Sequence, residues 1–250
     1  MIISLLAFLA VFTVIVLVHE FGHFIAARRS GVKVYEFSIG FPFSPRLCTL
    51  FHYKETHFTL RLLPLGGFVS FSKDGDEDAR ALFRASRVNR VLIMSAGSFF
   101  NVVFAFLVFL AVFMFGKHLH FIDAVYASAE TLWAILSGTV VFLVKVLSGH
   151  GGAEGLSGPV GIAVMAGKAA GKGLLNLFYF TGVLSMSLGI MNLFPLPALD
   201  GGQLLMLLIE AVRRKPLRIR TYQAVNLTGF VLFIILSLLV TYHDIVRLMA

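Results

Sequence analysis

The sequence places His19, Glu20 and His23 at one end of a long apolar stretch. On a helix, residues four apart lie one turn apart on the same face, which is the spacing that two imidazoles need to bind one metal ion. Glu20 lies farther round the helix, where its carboxylate can contact a metal-bound water without being a ligand. The spacing therefore predicts a zinc site with a glutamate base, and a buried hydrogen-bonded cluster is the alternative.

A second candidate ligand follows an interrupted apolar segment at residues 192–202. Pro195 and Pro197 cannot continue a regular helix, because each lacks a backbone donor and clashes with the preceding turn. Asp200 comes next, and a catalytic zinc site needs three protein ligands and one open position. We therefore predict that Asp200 is the third ligand. The alternative, which is compatible with ligation, is that Asp200 caps a helix beginning at Gly201.

The composition indicates which kind of element holds these residues. With 58% hydrophobic and 14% charged residues, the chain is predicted to be an integral membrane protein and not a soluble domain. The first apolar run has neither a charged segment before it nor a small-residue cleavage site after it, which favours a retained span over a signal peptide. The single Cys48 excludes an internal disulfide and a thiolate zinc cage. The net charge of +8 is interpreted as a determinant of membrane orientation, and no nucleic-acid partner is predicted.

The hydropathy pattern predicts an all-α polytopic membrane protein, residues 1–250, that forms a single domain. It is predicted to have about four transmembrane helices, a small membrane-associated β-hairpin region at about 32–72 and an outer interfacial amphipathic helix at about 124–147. The predicted spans cover about residues 2–27, 91–115, 174–194 and 225–242.

Basic residues are divided unevenly between the predicted loops. Eleven lie from Arg28 to Arg90 and five from Arg213 to Arg220, against four from Lys117 to Lys172. The positive-inside rule then places both termini outside, with the histidine pair and Asp200 at one depth toward the cytoplasm. A fifth span would place Asp200 on the opposite side of the membrane from the histidines.

The histidine motif and the Asp200 segment together resemble the site-2 protease family of intramembrane zinc metalloproteases, and the closest branch is the bacterial regulator-of-sigma-E type. Further matches occur at residues 64–69, 96–101 and 157–162. The resemblance implies that one zinc ion per chain is held by His19, His23 and Asp200. It also implies that Glu20 is the general base and that Asn192 holds the substrate or stabilises the oxyanion.

The same resemblance implies an endopeptidase that cuts single-span membrane proteins near the cytoplasmic face, as in regulated intramembrane proteolysis of an anti-sigma factor or of remnant signal peptides. Its expected location is the lipid bilayer of the bacterial inner membrane, and its oligomeric state is not predicted. A membrane zinc transporter or sensor and an inactive substrate-binding relative are the alternative functions. A strand edge is expected to clamp an extended substrate, with a plain structural hairpin as the alternative. The strand residues concerned are Gly66, Gly67, Phe68 and Val69.

Two features depart from the family pattern. Members of this branch usually carry PDZ domains between the second and third spans, and Phe115 here leads almost directly into the predicted interfacial helix. Substrate gating by a PDZ domain is therefore not expected. Ser98 stands where the family usually has proline, which concerns the helix geometry at that position more than the chemistry.

Overall fold

A computed structural model describes residues 2–41, 44–63, 66–71, 80–149 and 157–249 of the chain. Eight α-helices, four strands and one π-helix are assigned in these ranges. In chain order they are α1 (Ile2–Arg29), β1 (Glu36–Ile39), β2 (Arg46–Tyr53), β3 (Thr56–Arg61), β4 (Gly67–Ser70), α2 (Arg80–Arg84), α3 (Arg87–Ala111), a π-helix (Val112–Gly116), α4 (Phe121–Leu147), α5 (Pro159–Gly171), α6 (Leu174–Asn192), α7 (Asp200–Arg213) and α8 (Ile219–Met249).

The end of α1 follows from its local sequence. Arg28 and Arg29 lie in the last turn, where positive charge is favourable beside the free carbonyls of the helix end. Gly31 then adopts a φ of 73°, a conformation that glycine reaches without the steric cost of a side chain. The N–H of Val32 donates to the carbonyl of Ala27 at 2.9 Å, which closes the helix and turns the chain toward β1.

The strands form one sheet in the order β2-β3-β1-β4. β1 is parallel to β3 and antiparallel to β4, while β2 and β3 form an antiparallel hairpin. Lys54 and Glu55 connect the hairpin strands, and Lys54 has the positive φ of 55° that such a tight turn needs. β2 and β4 are therefore the edge strands of the described sheet.

Aromatic packing fixes the sheet against the C-terminal end of α1. The ring of Phe24 lies edge-to-face with Phe37 at 5.7 Å and with Phe58 at 5.6 Å between centroids. The buried cluster around these rings includes residues from α1, α2, α3 and the sheet. Its buried members are Phe24, Ala27, Val32, Val34, Phe37, Leu82, Ile93 and Met94. The sheet is thus held against Phe24, the residue that directly follows His23.

Glu36 links β1 to its neighbours through polar contacts. Its carboxylate accepts a hydrogen bond from Thr59 at 2.6 Å and forms ion pairs with Arg61 and Arg46, each at 3.1 Å. Burial acts to raise the pKa of Glu36, but the Thr59 hydrogen bond and the two guanidinium charges outweigh it, so the pKa lies below its usual value. Glu36 is therefore ionised and joins β1, β2 and β3 at neutral pH.

The chain forms two compact units. The sheet unit comprises Leu9–Asn101 and Asn192–Leu217, and the helical unit comprises Met1–Phe8, Val102–Met191 and Arg218–Ala250. Within the helical unit, the N–H of Gly161 donates to the buried carboxylate of Asp244 at 2.7 Å. This contact supplies an acceptor for one of the free N–H groups at the start of α5.

The predicted fold class is confirmed: the described residues are mostly helical, with one small sheet. Within the described ranges, five helices are long and apolar enough to cross a membrane. They are Ile2–Arg29, Arg87–Gly116, Phe121–Val146, Leu174–Asn192 and Ile219–Arg247. Phe121–Val146 falls in the predicted interfacial helix, so the arrangement with four spans stays a prediction. The hydropathy pattern does not predict α5, and the described part of the chain between Gly116 and Leu174 contains no PDZ domain.

Candidate metal centre

His19 and His23 lie on one face of α1 within the sheet unit. Both are buried, and their Nε2 atoms are 3.1 Å apart. The two rings meet edge-to-face with centroids 4.7 Å apart. Two neutral imidazoles whose Nε2 lone pairs face each other repel, unless a cation or a shared proton lies between them. The pair therefore has the arrangement of two ligands that bind one metal ion.

Asp200 completes the group from a different part of the chain. Its Oδ2 atom lies 3.1 Å from Nε2 of His19 and 3.3 Å from Nε2 of His23. The helix that carries it begins at Asp200 itself, with Leu199 as the N-cap residue in extended conformation. Ala198 takes a positive φ of 70° immediately before. The carboxylate therefore enters the site from the first turn of α7.

The three atoms fit a zinc ion. Their separations of 3.1, 3.1 and 3.3 Å form a nearly equilateral triangle. Ligand atoms about 2.0–2.1 Å from a tetrahedral zinc ion are about 3.3 Å apart. Oδ2 of Asp200 is buried and faces the Nε2 atoms of both histidines, an environment that a bound cation would stabilise. No sulfur ligand is near, since Cys48 is exposed on β2.

Glycines on two helices make room for the site. A Cβ atom on Gly97 of α3 would lie 2.5 Å from Nε2 of His23 and 2.8 Å from Nε2 of His19. A Cβ on Gly22 of α1 would lie 2.5 Å from the carbonyl oxygen of Ala96. Both distances are below van der Waals contact, so α1 and α3 can approach this closely only because both positions lack side chains.

Further contacts orient the two imidazoles. Nδ1 of His23 lies 2.7 Å from the carbonyl oxygen of Ile93 on α3. Nδ2 of Asn101, also on α3, lies 3.4 Å from Nδ1 of His19. Nδ2 of Asn192 lies 3.4 Å from Nε2 and 3.5 Å from Nδ1 of the same ring. Both asparagines therefore lie beside His19.

Glu20 lies where the histidine helix meets the edge of the sheet. Its carboxylate interacts electrostatically with the side chains of His19, His23 and Asp200, and it accepts a hydrogen bond from the backbone N–H of Val69. A Cβ on Gly67 would lie 3.3 Å from Cγ of Glu20. The predicted base is therefore packed against β4, beside the candidate metal ligands.

Of the predicted substrate strand, Gly67, Phe68 and Val69 belong to β4, and Gly66 precedes it with a φ of 109°. The N–H of Gly40 donates to the carbonyl of Gly66 at 2.9 Å. Antiparallel pairs alternate between bonded and non-bonded residues, so the backbone groups of Gly67 and Val69 point away from β1. The remaining residues of this sequence match, Pro64 and Leu65, lie outside the described residues.

Ile93, Gly97 and Asn101 are the site residues to which the spacing argument gives no role. They are four residues apart along α3 and share one face. The family resemblance at residues 96–101 includes part of this face. The sequence does not show, however, that the face lies against the histidines. The predicted general base, the three predicted ligands and Asn192 are all brought together.

A helical membrane protein that places two histidines and an aspartate in metal-ligand geometry beside a glutamate has the arrangement of a zinc metallopeptidase. Comparison with known proteins agrees with this class. The chain belongs to peptidase family M50, whose model matches residues 7–236. It is therefore a multi-pass membrane metalloendopeptidase.

Individual relatives support the family assignment. A Clostridium perfringens protein whose name includes "zinc metalloprotease" is 30% identical over 328 aligned positions, covering 95% of this chain and 97% of the relative. The alignment is longer than this chain, so that relative has residues without a counterpart here. The regulator of sigma-W protease RasP of Bacillus subtilis is 42% identical over 127 residues, covering 51% of this chain and 30% of RasP. The zinc metalloprotease RasP of Geobacillus kaustophilus is 48% identical over 106 residues, covering 42% and 25%.

Proposed function

We propose that this protein is a zinc-dependent intramembrane endopeptidase that cleaves single-span membrane proteins near the cytoplasmic face. The observation that carries the proposal is the triangle of His19 Nε2, His23 Nε2 and Asp200 Oδ2, with sides of 3.1–3.3 Å on and beside an apolar helix. Ionisable side chains are costly at membrane depth, so a cluster of them there indicates function. These three residues hold one zinc ion per chain.

Bound zinc supplies Lewis-acid chemistry, which lowers the pKa of water and polarises a peptide carbonyl. Glu20 accepts the proton of the attacking water and passes it to the leaving amine. Its contact with the N–H of Val69 fixes the carboxylate between the ligands and the sheet edge. Asn192, whose amide lies 3.4 Å from His19, donates a hydrogen bond to the oxygen that gains negative charge.

The free edge of β4 binds the substrate. A peptide bond within a helix is shielded, because its carbonyl is bonded inside the helix, so the substrate must be extended before attack. The N–H and carbonyl of Gly67 and the carbonyl of Val69 point away from β1 and can pair with an extended chain, whereas the N–H of Val69 contacts Glu20. Since Gly67 packs on Glu20, a strand paired here passes beside the proposed base.

The proposed orientation places both termini outside and the site toward the cytoplasm, in the bacterial inner membrane. For Asp200 to reach His19 and His23, the inner ends of α1 and α6 must lie on the same side of the membrane. A single crossing by α3 between them meets this requirement, whereas an additional crossing by α4 does not. The contact distances thus support four spans and an interfacial α4, and the basic loops favour the same orientation.

The experiment that tests the proposal is cleavage of tagged single-span membrane proteins in liposomes by the parent protein and by Glu20→Gln. Zinc content is measured in both. We expect the parent alone to cleave, with zinc retained in both proteins. Cleavage by Glu20→Gln at the parent rate would contradict the role of Glu20, and zinc-dependent ion flux without cleavage would favour a transporter.

A further inference from the structure

One face of α3 contacts both histidines of the site. Ile93, Gly97 and Asn101 occupy this face at four-residue intervals, and each meets a different part of the histidine pair. The carbonyl of Ile93 contacts His23, Gly97 lies against both rings, and the amide of Asn101 contacts His19. Asn101 is fully buried, and a buried amide is costly unless it is hydrogen-bonded.

The contact at His23 shows which tautomer the site requires. A carbonyl oxygen can only accept, so Nδ1 of His23 must carry the proton that it donates to Ile93 at 2.7 Å. Its Nε2 lone pair then faces Asp200 and is available for a metal ion. Such an acceptor behind a ligating histidine fixes the ring orientation and makes the ligand more basic.

His19 needs the same tautomer, because its Nε2 also faces Asp200. Asn192 cannot supply the acceptor, since its amide nitrogen is nearly equidistant from both ring nitrogens and lies on the axis of neither N–H direction. Asn101 approaches Nδ1 at 3.4 Å. Amide oxygen and nitrogen positions are interchangeable by rotation, so the amide can present Oδ1 to this nitrogen.

We propose that Asn101 is a positioning residue that accepts a hydrogen bond from Nδ1 of His19 and so directs the Nε2 lone pair to zinc. The inference rests on the proposed role of His19 as a zinc ligand. Asn101 then does for His19 what the carbonyl of Ile93 does for His23. Together the two contacts make α3 the helix that sets both imidazoles, although it contributes no ligand.

The test compares Asn101→Leu with Asn101→Asp in the full-length protein, with zinc affinity measured by competition against a chelator. Leucine removes the acceptor at similar volume, and we expect zinc affinity to fall about 10- to 100-fold. Aspartate restores an acceptor, and we expect affinity within about threefold of the parent. Asn89→Leu makes the same change elsewhere on α3, where the amide contacts the carbonyl of Ser30, and is expected to leave affinity unchanged.

A role in packing alone gives a different pattern, because a buried carboxylate disrupts packing at least as much as leucine. Parent-like affinity in Asn101→Leu, or equally weak binding in Asn101→Asp, would overturn the inference. If His19→Ala bound zinc as the parent does, the proposed ligand set would fail instead. The two failures are therefore distinguishable.

A second measurement does not depend on the folding of any Asn101 variant. Nitrogen-15 NMR of histidine-labelled, zinc-loaded parent protein reports which ring nitrogen carries a proton, and His19→Ala assigns the His19 signals. We expect a protonated Nδ1 and a metal-bound Nε2 for His19. A protonated Nε2 with a bare Nδ1 would overturn the inference.

Discussion

At the residue scale, the site combines side chains that can bind a metal ion with glycines, which leave space for those side chains. Spacing alone points to His19, Glu20 and His23, the interrupted segment points to Asp200, and the resemblance adds the role of Asn192. The sequence cannot show that Gly97 lies against both imidazoles, because that requires knowing which face of α3 meets α1. A Cβ on Gly97 would lie only 2.5 Å from Nε2 of His23, so the site requires glycine at this position as strictly as it requires its ligands.

Gly97→Ala is expected to abolish zinc binding and cleavage. The added methyl group would lie 2.5 Å from Nε2 of His23 and 2.8 Å from Nε2 of His19, so at least one imidazole must move, and zinc affinity is expected to fall more than about 100-fold. The measurement is zinc content after dialysis against a chelator. Gly138→Ala on α4 is the control, because a Cβ there meets nothing within 4 Å. Full zinc content in Gly97→Ala would show that this packing is wrong.

At the element scale, a buried ion pair joins the two helices on either side of the site. NH1 of Arg90, near the start of α3, lies 2.8 Å from Oε2 of Glu210 on α7, and both side chains are buried. Oε1 of Glu210 also accepts the N–H of Leu217 at 2.8 Å. Because α7 begins with Asp200, this pair helps to set the position of the third ligand.

Glu210→Gln is expected to destabilise the protein by about 3–5 kcal/mol, since it removes the carboxylate charge that pairs with the buried guanidinium of Arg90. Zinc affinity should fall together with stability, because α7 loses its anchor. The double variant Arg90→Met, Glu210→Leu removes both charges and should recover most of the stability. Thermal unfolding in detergent measures both effects. Equal melting temperatures for the parent and Glu210→Gln would contradict this account.

The edge of β4 gives a second test at this scale. Val69→Pro removes the N–H that faces Glu20 without removing a bond to β1, whereas Val69→Ala keeps that N–H. We expect Val69→Pro to reduce cleavage at least about tenfold with zinc content unchanged, and Val69→Ala to stay close to the parent. Loss of zinc in Val69→Pro would mean that β4 supports the metal site and not the substrate.

The elements differ in how far the sequence predicts them. Long apolar runs such as the one ending near Arg29 predict helices, because hydrophobic length alone is informative there. The short helix α5 escapes prediction, since its 13 residues are too few for the membrane-span length that identifies the other apolar helices. Gly161 and Asp244 are in contact although they are 83 residues apart in sequence, and no local sequence pattern predicts such a pair.

At the scale of the whole molecule, the predicted orientation depends on the distribution of basic residues. The same distribution predicts the side on which each loop lies. In a Cys48→Ser background, Lys54→Cys in the hairpin turn should react with an impermeant maleimide only from the cytoplasmic side. Lys117→Cys after the π-helix should react only from the outside. Labelling of both from one side, in right-side-out and inverted vesicles, would refute the four-span arrangement.

At this scale it is also clear why the site residues can be predicted from the sequence although the packing of the fold cannot. The ligands come from two motifs whose chemistry is visible in sequence, although His19 and Asp200 lie far apart along the chain. Contacts that depend on helix packing, such as those of Ile93 and Arg90 with distant partners, have no comparable signal. Short sequence motifs thus predict which residues carry the chemistry. The geometry of the site depends on packing between distant segments, which these motifs do not predict.

Zinc stoichiometry in the parent, Asp200→Asn and Asp123→Asn tests whether the histidine pair and Asp200 together bind one zinc ion. Asparagine matches aspartate in shape but lacks its charge, and Asp123 is an exposed residue in the first turn of α4. We expect one zinc ion per chain in the parent and in Asp123→Asn, and loss of zinc from Asp200→Asn at micromolar chelator. One tightly held zinc ion in Asp200→Asn, with parent affinity, would contradict this expectation.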